Sequence, residues 1–220
     1  MNLTMFEKMQ LLPLFQGLSF RELSEIVEWM KMDFCQFHPN DVIVSQGDRC
    51  RSLIFIISGD VCAEYVDTDR RFALTEDLPS SLVLEPYSIY GMYQNYTRSY
   101  WMRTEGSGLV IPKNVFNELL RRYQIIRTNY LNLICTRLQN NNIKLCNIRT
   151  LGIKDKIVKF VSDLACSNKG NKCLRIKMEV LAGIIDETRL NVSRELNKMQ
   201  LEKKIKMKRG MIEFVDFQKL

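Results

Sequence analysis

Between residues 20 and 30 the apolar side chains Leu23, Ile26, Val27 and Met30 recur at i, i+3, i+4 and i+7, the spacing of one helix face. Ser19 precedes the run and Glu22 stands three positions later, the reciprocal pair of a capping box. A helical region is therefore expected over residues 5–31. From 34 to 111 the pattern shortens into runs rich in Val, Ile, Phe, Tyr and Thr: DVIVSQG, SLIFIISG, VCAEYVD, FALTEDL, SLVLEP, SYWMRTE and GLVIP. Turn signals separate them, among them Pro39-Asn40-Asp41, Gln46-Gly47-Asp48, Ser58-Gly59-Asp60 and Asp67-Thr68-Asp69. Many short strands at nearly regular intervals predict an antiparallel barrel or jelly roll.

After Pro112 the strands stop. Proline suits the first turn of a helix, and residues 113–122 predict a short one, followed by a longer one at about 124–146. Ile126, Tyr130, Leu133 and Ile134 sit near heptad spacing there, with Leu138 and Leu145 beyond. A helix of this length beside a barrel is a candidate dimer seam; the alternative is a stripe that packs only on its own barrel. Asn140-Asn141-Asn142 is a poor helix run, and Thr150-Leu151-Gly152 marks a boundary. Two domains are expected, 1–147 and 148–220. The second reads as a helix (153–166), a loop (167–172), the short strand CLRI, the helices MEVLAGI and TRLNVSRELNKMQLEK, and the hairpin KIKMKRGMIEFVD. The fold class is α+β.

Charge sharpens this division. Residues 150–220 hold sixteen basic and nine acidic side chains, while the first 149 hold sixteen of each, so the net charge of +7 sits entirely in the last third. A neutral domain joined to a basic one suggests a polyanionic partner, and a solvated basic surface is the plainer alternative. The seven cysteines are odd in number, scattered and without C-x-x-C, which predicts reduced thiols and no metal–sulfur site. Met1 is followed by no basic and apolar leader, so no signal peptide and a cytoplasmic location are expected. No apolar run approaches a membrane span.

Within the basic third, Ile176, Val180, Leu181, Ile184 and Ile185 can form the inner face of a first helix. Asp186-Glu187 interrupts it, Thr188 can cap the next helix through its hydroxyl, and Val192, Leu196 and Met199 turn inward. Two short helices joined by a tight turn and apolar on one side describe a helix-turn-helix. The outer face carries Thr188, Arg189, Asn191, Arg194, Glu195 and Lys198, and Leu190 and Ser193 are expected to join Thr188, Arg189, Asn191, Arg194 and Lys198 at the DNA. Arginine can bond a guanine edge with two donors, asparagine an adenine edge, and threonine or serine a phosphate. The hairpin that follows carries Lys206, Lys208, Arg209 and Gly210, the place of a wing that touches phosphate.

Leu181-Ala182, Thr188-Arg189, Val192, Ser193-Arg194 and Leu196 reproduce the spacing of the recognition region of bacterial Crp/Fnr transcription regulators, which the chain resembles over nearly its whole length. Gln46-Gly47-Asp48 and Ile57-Ser58-Gly59-Asp60-Val61 resemble the turns of the cyclic-nucleotide-binding β-roll, and residues 137–147 the end of the family's dimer helix. The resemblance implies a β-roll sensor domain, a long dimerisation helix and a winged helix-turn-helix. It implies a homodimer on a two-fold symmetric duplex, with Arg189 and Arg194 contacting DNA, and contact with RNA polymerase if the protein activates. Three departures stand out. Asp186 replaces the turn glycine, Leu190 replaces a glutamate and can meet a thymine methyl, and Lys203 replaces the glycine before the wing.

The effector pocket implied by the resemblance is incomplete. Arg98-Ser99 matches the phosphate-neutralising pair, and Asn141 and Asn142 fall where the family has base-contacting polar residues. The Gly-Glu turn is missing: Tyr90-Gly91-Met92 has Met where Glu would serve, and Glu85 is misplaced. Cyclic AMP or GMP is therefore disfavoured as effector, and another small molecule, or none, stays open. With one histidine, no acidic pair and no phosphate loop, a catalytic role is not expected. A nucleotide-sensing interaction module that never touches DNA would show the reverse pattern, an intact pocket and an unremarkable C-terminal region.

Overall fold

The amino-terminal helical region comes in three pieces: Pro13 opens the middle one, because proline cannot continue an α-helix, and Gly17 at φ 82° lies in the break before the last. In the computed structural model, which describes residues 5–30, 33–146 and 152–219, α1 spans Met5–Gln10, a 3-10 turn Pro13–Phe15, and α2 Phe20–Met30. The capping box forms: Ser19 N donates to Glu22 Oε2 at 2.8 Å, and Glu22 N to Ser19 Oγ at 3.3 Å.

The strands follow: β1 (Asp33–Phe37), β2 (Val42–Val44), β3 (Ser52–Ser58), β4 (Val61–Val66), β5 (Phe72–Leu78), β6 (Leu82–Leu84), β7 (Ser99–Met102) and β8 (Gly106–Pro112). Each run picked out by its pattern holds one, and β1 is additional. The carboxyl-terminal order is α3 (Lys113–Arg122), α4 (Gln124–Cys146), α5 (Ile153–Leu164), β9 (Lys172–Ile176), α6 (Met178–Ile184), α7 (Arg189–Leu201), β10 (Ile205–Lys208) and β11 (Met211–Phe214). The expected boundary at 147/148 lies outside the described residues, as does Thr150-Leu151.

The chain divides into two units. The first comprises Met1–Val61, Pro79–Thr97 and Trp101–Leu145; the second comprises Cys62–Leu78, Arg98–Tyr100 and Cys146–Leu220. In the first, an antiparallel sheet runs β1-β8-β3-β6. Its strands are apolar and β-branched, with Leu53, Phe55, Ile56, Leu109 and Ile111 buried, which suits a pleated core surface. The turn after β3 needs glycine: Gly59 has φ 89°, and a Cβ there would stand 2.7 Å from the Glu105 carbonyl. Phe116 on α3 packs edge-on against Tyr130 on α4, ring centroids 5.0 Å apart, joining the helices to this core.

In the second unit the strand order is β10-β11-β9-β5-β4. The hairpin β10–β11 pairs Lys208 with Met211 across a two-residue loop, Arg209-Gly210, with Gly210 at φ 69°. Helices α5, α6 and α7 cover this sheet through a cluster that includes Ile157, Val161, Leu181, Ala182, Val192, Leu196, Met199, Leu174 and Phe214. Among the described residues no helix is long and apolar enough to cross a membrane.

Candidate nucleic-acid interface

Helix α7 begins where a side chain can satisfy its free N–H groups. Thr188 has extended backbone (φ −76°, ψ 145°), and its Oγ1 accepts from Asn191 N at 3.3 Å. Val192, Leu196 and Met199 are fully buried against α6 and α5. This inner face fixes which residues look outward: Thr188, Arg189, Leu190, Arg194 and Lys198 are exposed, and Asn191 and Ser193 half-buried beside them. Arg189 and Arg194 are five residues apart, so they stand ~7 to 8 Å apart along the axis, within reach of neighbouring base steps.

The turn before α7 closes on Asp186 in the left-handed region (φ 51°). Glu187 N donates to Ala182 O at 3.0 Å, the long bond of a Schellman cap on α6. After α7 the same motif recurs: Lys203 has φ 58°, Lys204 N donates to Met199 O and Lys203 N to Gln200 O, each at 3.0 Å. Both positions are those where the sequence departs from glycine, and both keep the glycine conformation. The wing then presents Lys206, Lys208, Arg209 and Gly210 to solvent. Ile176 N donates to Gly210 O at 3.0 Å, which ties the wing loop to β9.

Acidic partners on this surface are few and displaceable. Arg189 Nε lies 3.3 Å from Glu179 Oε1, with both side chains mostly exposed, and Lys208 Nζ lies 2.6 Å from Glu213 Oε1. The Glu213 carboxylate holds the Lys208 ammonium above its ordinary pKa, so the wing cation stays charged. Exposed pairs of this kind add little net stability, and a phosphate can replace either carboxylate.

The expected effector residues are divided between the two units. Arg98 and Ser99 belong to the second; Asn141 and Asn142 lie exposed near the end of α4 in the first. Arg98 is engaged by protein groups: it donates to Leu164 O, its guanidinium lies 3.7 Å from Glu76 Oε1, and its Cζ sits 5.6 Å from the Tyr65 ring centre. Glu85, read from the sequence as misplaced, is buried with left-handed backbone (φ 33°). It accepts from Thr97 N and Oγ1, each at 2.8 Å, and from Ser88 Oγ at 3.0 Å. This carboxylate organises the loop 85–97. Among the described residues no cluster of His, Cys, Asp or Glu is arranged to hold a metal.

On α4, Ile126 and Tyr130 turn into their own unit, where Tyr130 Oη donates to Pro86 O at 3.0 Å. Leu133 and Ile134 are half-buried. The face left open carries Leu131, Cys135 and Leu138, with Leu131 54% and Leu138 60% exposed. Sequence spacing did not select Leu131 and Cys135, although their i, i+4, i+7 relation with Leu138 was available in it.

Residues 34–123 match the family described as Cyclic nucleotide-binding domain. No curated protein matches the chain. Among solved structures, the Thermus thermophilus catabolite activator protein is 19% identical, with 94% of this chain and 95% of that one covered, at a TM-score of 0.54. A chain described as a transcriptional regulator of the crp/fnr family from Eubacterium rectale is 17% identical over 96% of this chain and 100% of its own, TM-score 0.55. The c-di-GMP responsive global regulator CLP of Xanthomonas campestris is 17% identical over 87% and 99%, TM-score 0.52. Residues 34–123 are thus similar to a cyclic nucleotide-binding domain, and the chain shares the fold of these solved regulator structures.

Proposed function

We propose that the protein is a homodimeric transcription regulator that reads a two-fold symmetric DNA site, with α7 in the major groove and the β10–β11 wing on the backbone. One observation carries the reading: a Thr188-capped helix, held from behind by three buried side chains, turns Arg189 and Arg194 outward next to a basic hairpin. The arginines serve base edges, Asn191 and Leu190 add adenine and thymine-methyl contacts, and Thr188, Ser193, Lys198, Lys206, Lys208 and Arg209 serve phosphates. The charge excess of the last third supports the same partner.

The second copy is held along α4, through the open face of Leu131, Cys135 and Leu138 rather than through Ile126 and Tyr130, which are occupied at home. Two such helices place two heads on half-sites about one helical turn apart. A small effector other than cyclic AMP fits the sensor best, since Arg98 is already engaged by Glu76 and Leu164 and the loop 85–97 closes on its own carboxylate. A cyclic-nucleotide response is the second reading, supported by the family match at 34–123. An activator of this kind would also contact RNA polymerase.

The test is selection of bound duplexes from a random pool by the purified protein, without and with cyclic nucleotides. A two-fold symmetric motif is expected in the ligand-free arm. A motif only with cyclic nucleotide would favour the second reading, and the absence of any motif in both arms would overturn DNA reading.

A further inference from the structure

Strand β5 continues the sheet of the wing. It pairs antiparallel with β9 from Phe72 opposite Ile176 to Glu76 opposite Lys172. A winged helix closes its sheet with β9, β10 and β11, so β5 is a strand added to its free edge, and with it comes the hairpin 62–78.

The added strand carries a buried charge contact. Glu76 and Lys172 are both 0% exposed and meet at 2.9 Å. The same carboxylate accepts from Cys166 N at 2.6 Å and Ser167 N at 3.3 Å, and Arg98 lies beside it. Toward the other end of the pairing, Glu64 is bonded to Arg175. The pairing has an apolar side as well: Phe72, Ala73, Leu74 and Leu78 are buried, Phe72 and Leu74 share a core cluster with Leu174 and Ile176, and half-buried Tyr65 packs against it. A buried ion pair of this kind specifies one geometry more than it adds net stability, so the Glu76–Lys172 contact fixes the register in which the added strand docks.

Its charge opposes DNA. Residues 61–78 hold five acidic and two basic side chains, placed against the basic third of the chain. Two cations of that third, Lys172 and Arg175, are neutralised by the hairpin. An acidic hairpin on the sheet of a basic head lowers the potential that draws a polyanion and adds like-charge repulsion to its approach.

We propose that residues 62–78 are an autoinhibitory hairpin: paired to β9 through the Glu76–Lys172 knot, they hold the reading head in a state of low DNA affinity. Duplex binding competes with that pairing. The proposal rests on the DNA-reading role above and adds its regulation.

Thr75 lies directly opposite Cys173 in the register, so T75C can be locked to a native thiol. The variant is made on a Cys135→Ser background to prevent cross-linking of copies. It is oxidised with copper phenanthroline and dioxygen at mildly alkaline pH, because burial raises the Cys173 thiol. The bond is located by peptide mapping, and the parent oxidised in parallel controls for the other thiols. Affinity for the selected duplex is then read by fluorescence anisotropy. The oxidised form is expected to bind at least about fivefold more weakly than the reduced form, with recovery on adding reductant. Glu76→Gln, checked for folding by circular dichroism, is expected to bind more tightly than the parent. Equal or tighter binding by the locked form overturns the autoinhibition and leaves DNA reading standing. Failure of the disulfide to form overturns the strand pairing. A reduced variant and parent that bind no duplex overturn the DNA reading, and the autoinhibition with it.

Discussion

Lys156 on α5 reaches Glu187 in the turn before α7, Nζ to Oε1 at 2.6 Å, and also lies 3.5 Å from Asp186 O. One cation thus braces the two residues that set the entry angle of the exposed helix. The pair is partly exposed, so Lys156→Ala is expected to cost about 0.2–1 kcal/mol of stability. Its larger effect should be on duplex affinity, because the turn aims the arginines. Urea unfolding and anisotropy on the same variant separate the two effects; loss of stability without loss of affinity would show that the brace does not aim the helix.

Arg189→Ala and Arg194→Ala are each expected to cost about 1–3 kcal/mol on the selected site and to relax its sequence at one position. Lys208→Ala and Arg209→Ala should weaken binding evenly across sequences and flatten the dependence of log K on log salt. Binding isotherms at several salt concentrations check both. Unchanged affinity for both α7 variants would remove this helix from the interface.

Lys203 occupies the left-handed position of a complete Schellman cap. A non-glycine residue there costs about 1–2 kcal/mol, partly offset by glycine's greater freedom in the unfolded chain. Lys203→Gly is therefore expected to stabilise the protein by roughly 0.5–1 kcal/mol, read as a higher denaturation midpoint. Asp186→Gly should act in the same direction. A lower midpoint for Lys203→Gly would mean that the lysine makes a contact worth more than the strain.

Cys135 lies on the open face of α4 between Leu131 and Leu138. In a parallel pair of helices joined along this face, the two Cys135 thiols approach across the two-fold axis. Mild oxidation is expected to give a covalent dimer that Cys135→Ser abolishes, and Leu131→Asp with Leu138→Asp should give a monomer by sedimentation. A dimer that survives the double change would move the seam elsewhere.

Glu118 is held below the usual carboxylate range by hydrogen bonds from Arg122 and then Arg121, and Asp67 by Arg71. A depressed pKa means stabilisation that is present above the unfolded-state value and lost as pH falls through the folded one. The destabilising effect of Glu118→Gln at pH 7 should accordingly shrink toward pH 3, as followed by thermal melting. A constant difference across that range would show that the pairs do not stabilise the fold.

What the sequence made legible was local. The capping box of Ser19 and Glu22, the Thr188 cap and the Arg209-Gly210 hairpin are set by residues a few positions apart, where spacing and geometry are the same information. The unread part was non-local. β1 is paired to β8 some seventy positions on, and nothing in DFCQF announces that partner. Ile126 and Tyr130 make a true apolar stripe on α4, but periodicity does not say what covers a stripe. Arg98 was legible as a residue type for an anion, while its engagement depends on Leu164, sixty-six positions later, and on Glu76 from β5, earlier in the chain. Lys172 reads as a loop cation, yet it is fully buried because Glu76 arrives from ninety-six positions away.

That separation sets an order of events during synthesis. Strand β5 leaves the ribosome long before its partner β9, and at roughly 5–20 residues per second the wait is on the order of ten seconds. During that interval FALTEDL is an unpaired sheet edge, the kind of segment that joins neighbouring chains. Its own Glu76 and Asp77, with Arg70 and Arg71 just before it, place charges on the waiting edge. The acidic side chain that later seals the knot thus also serves the nascent chain as a guard against aggregation.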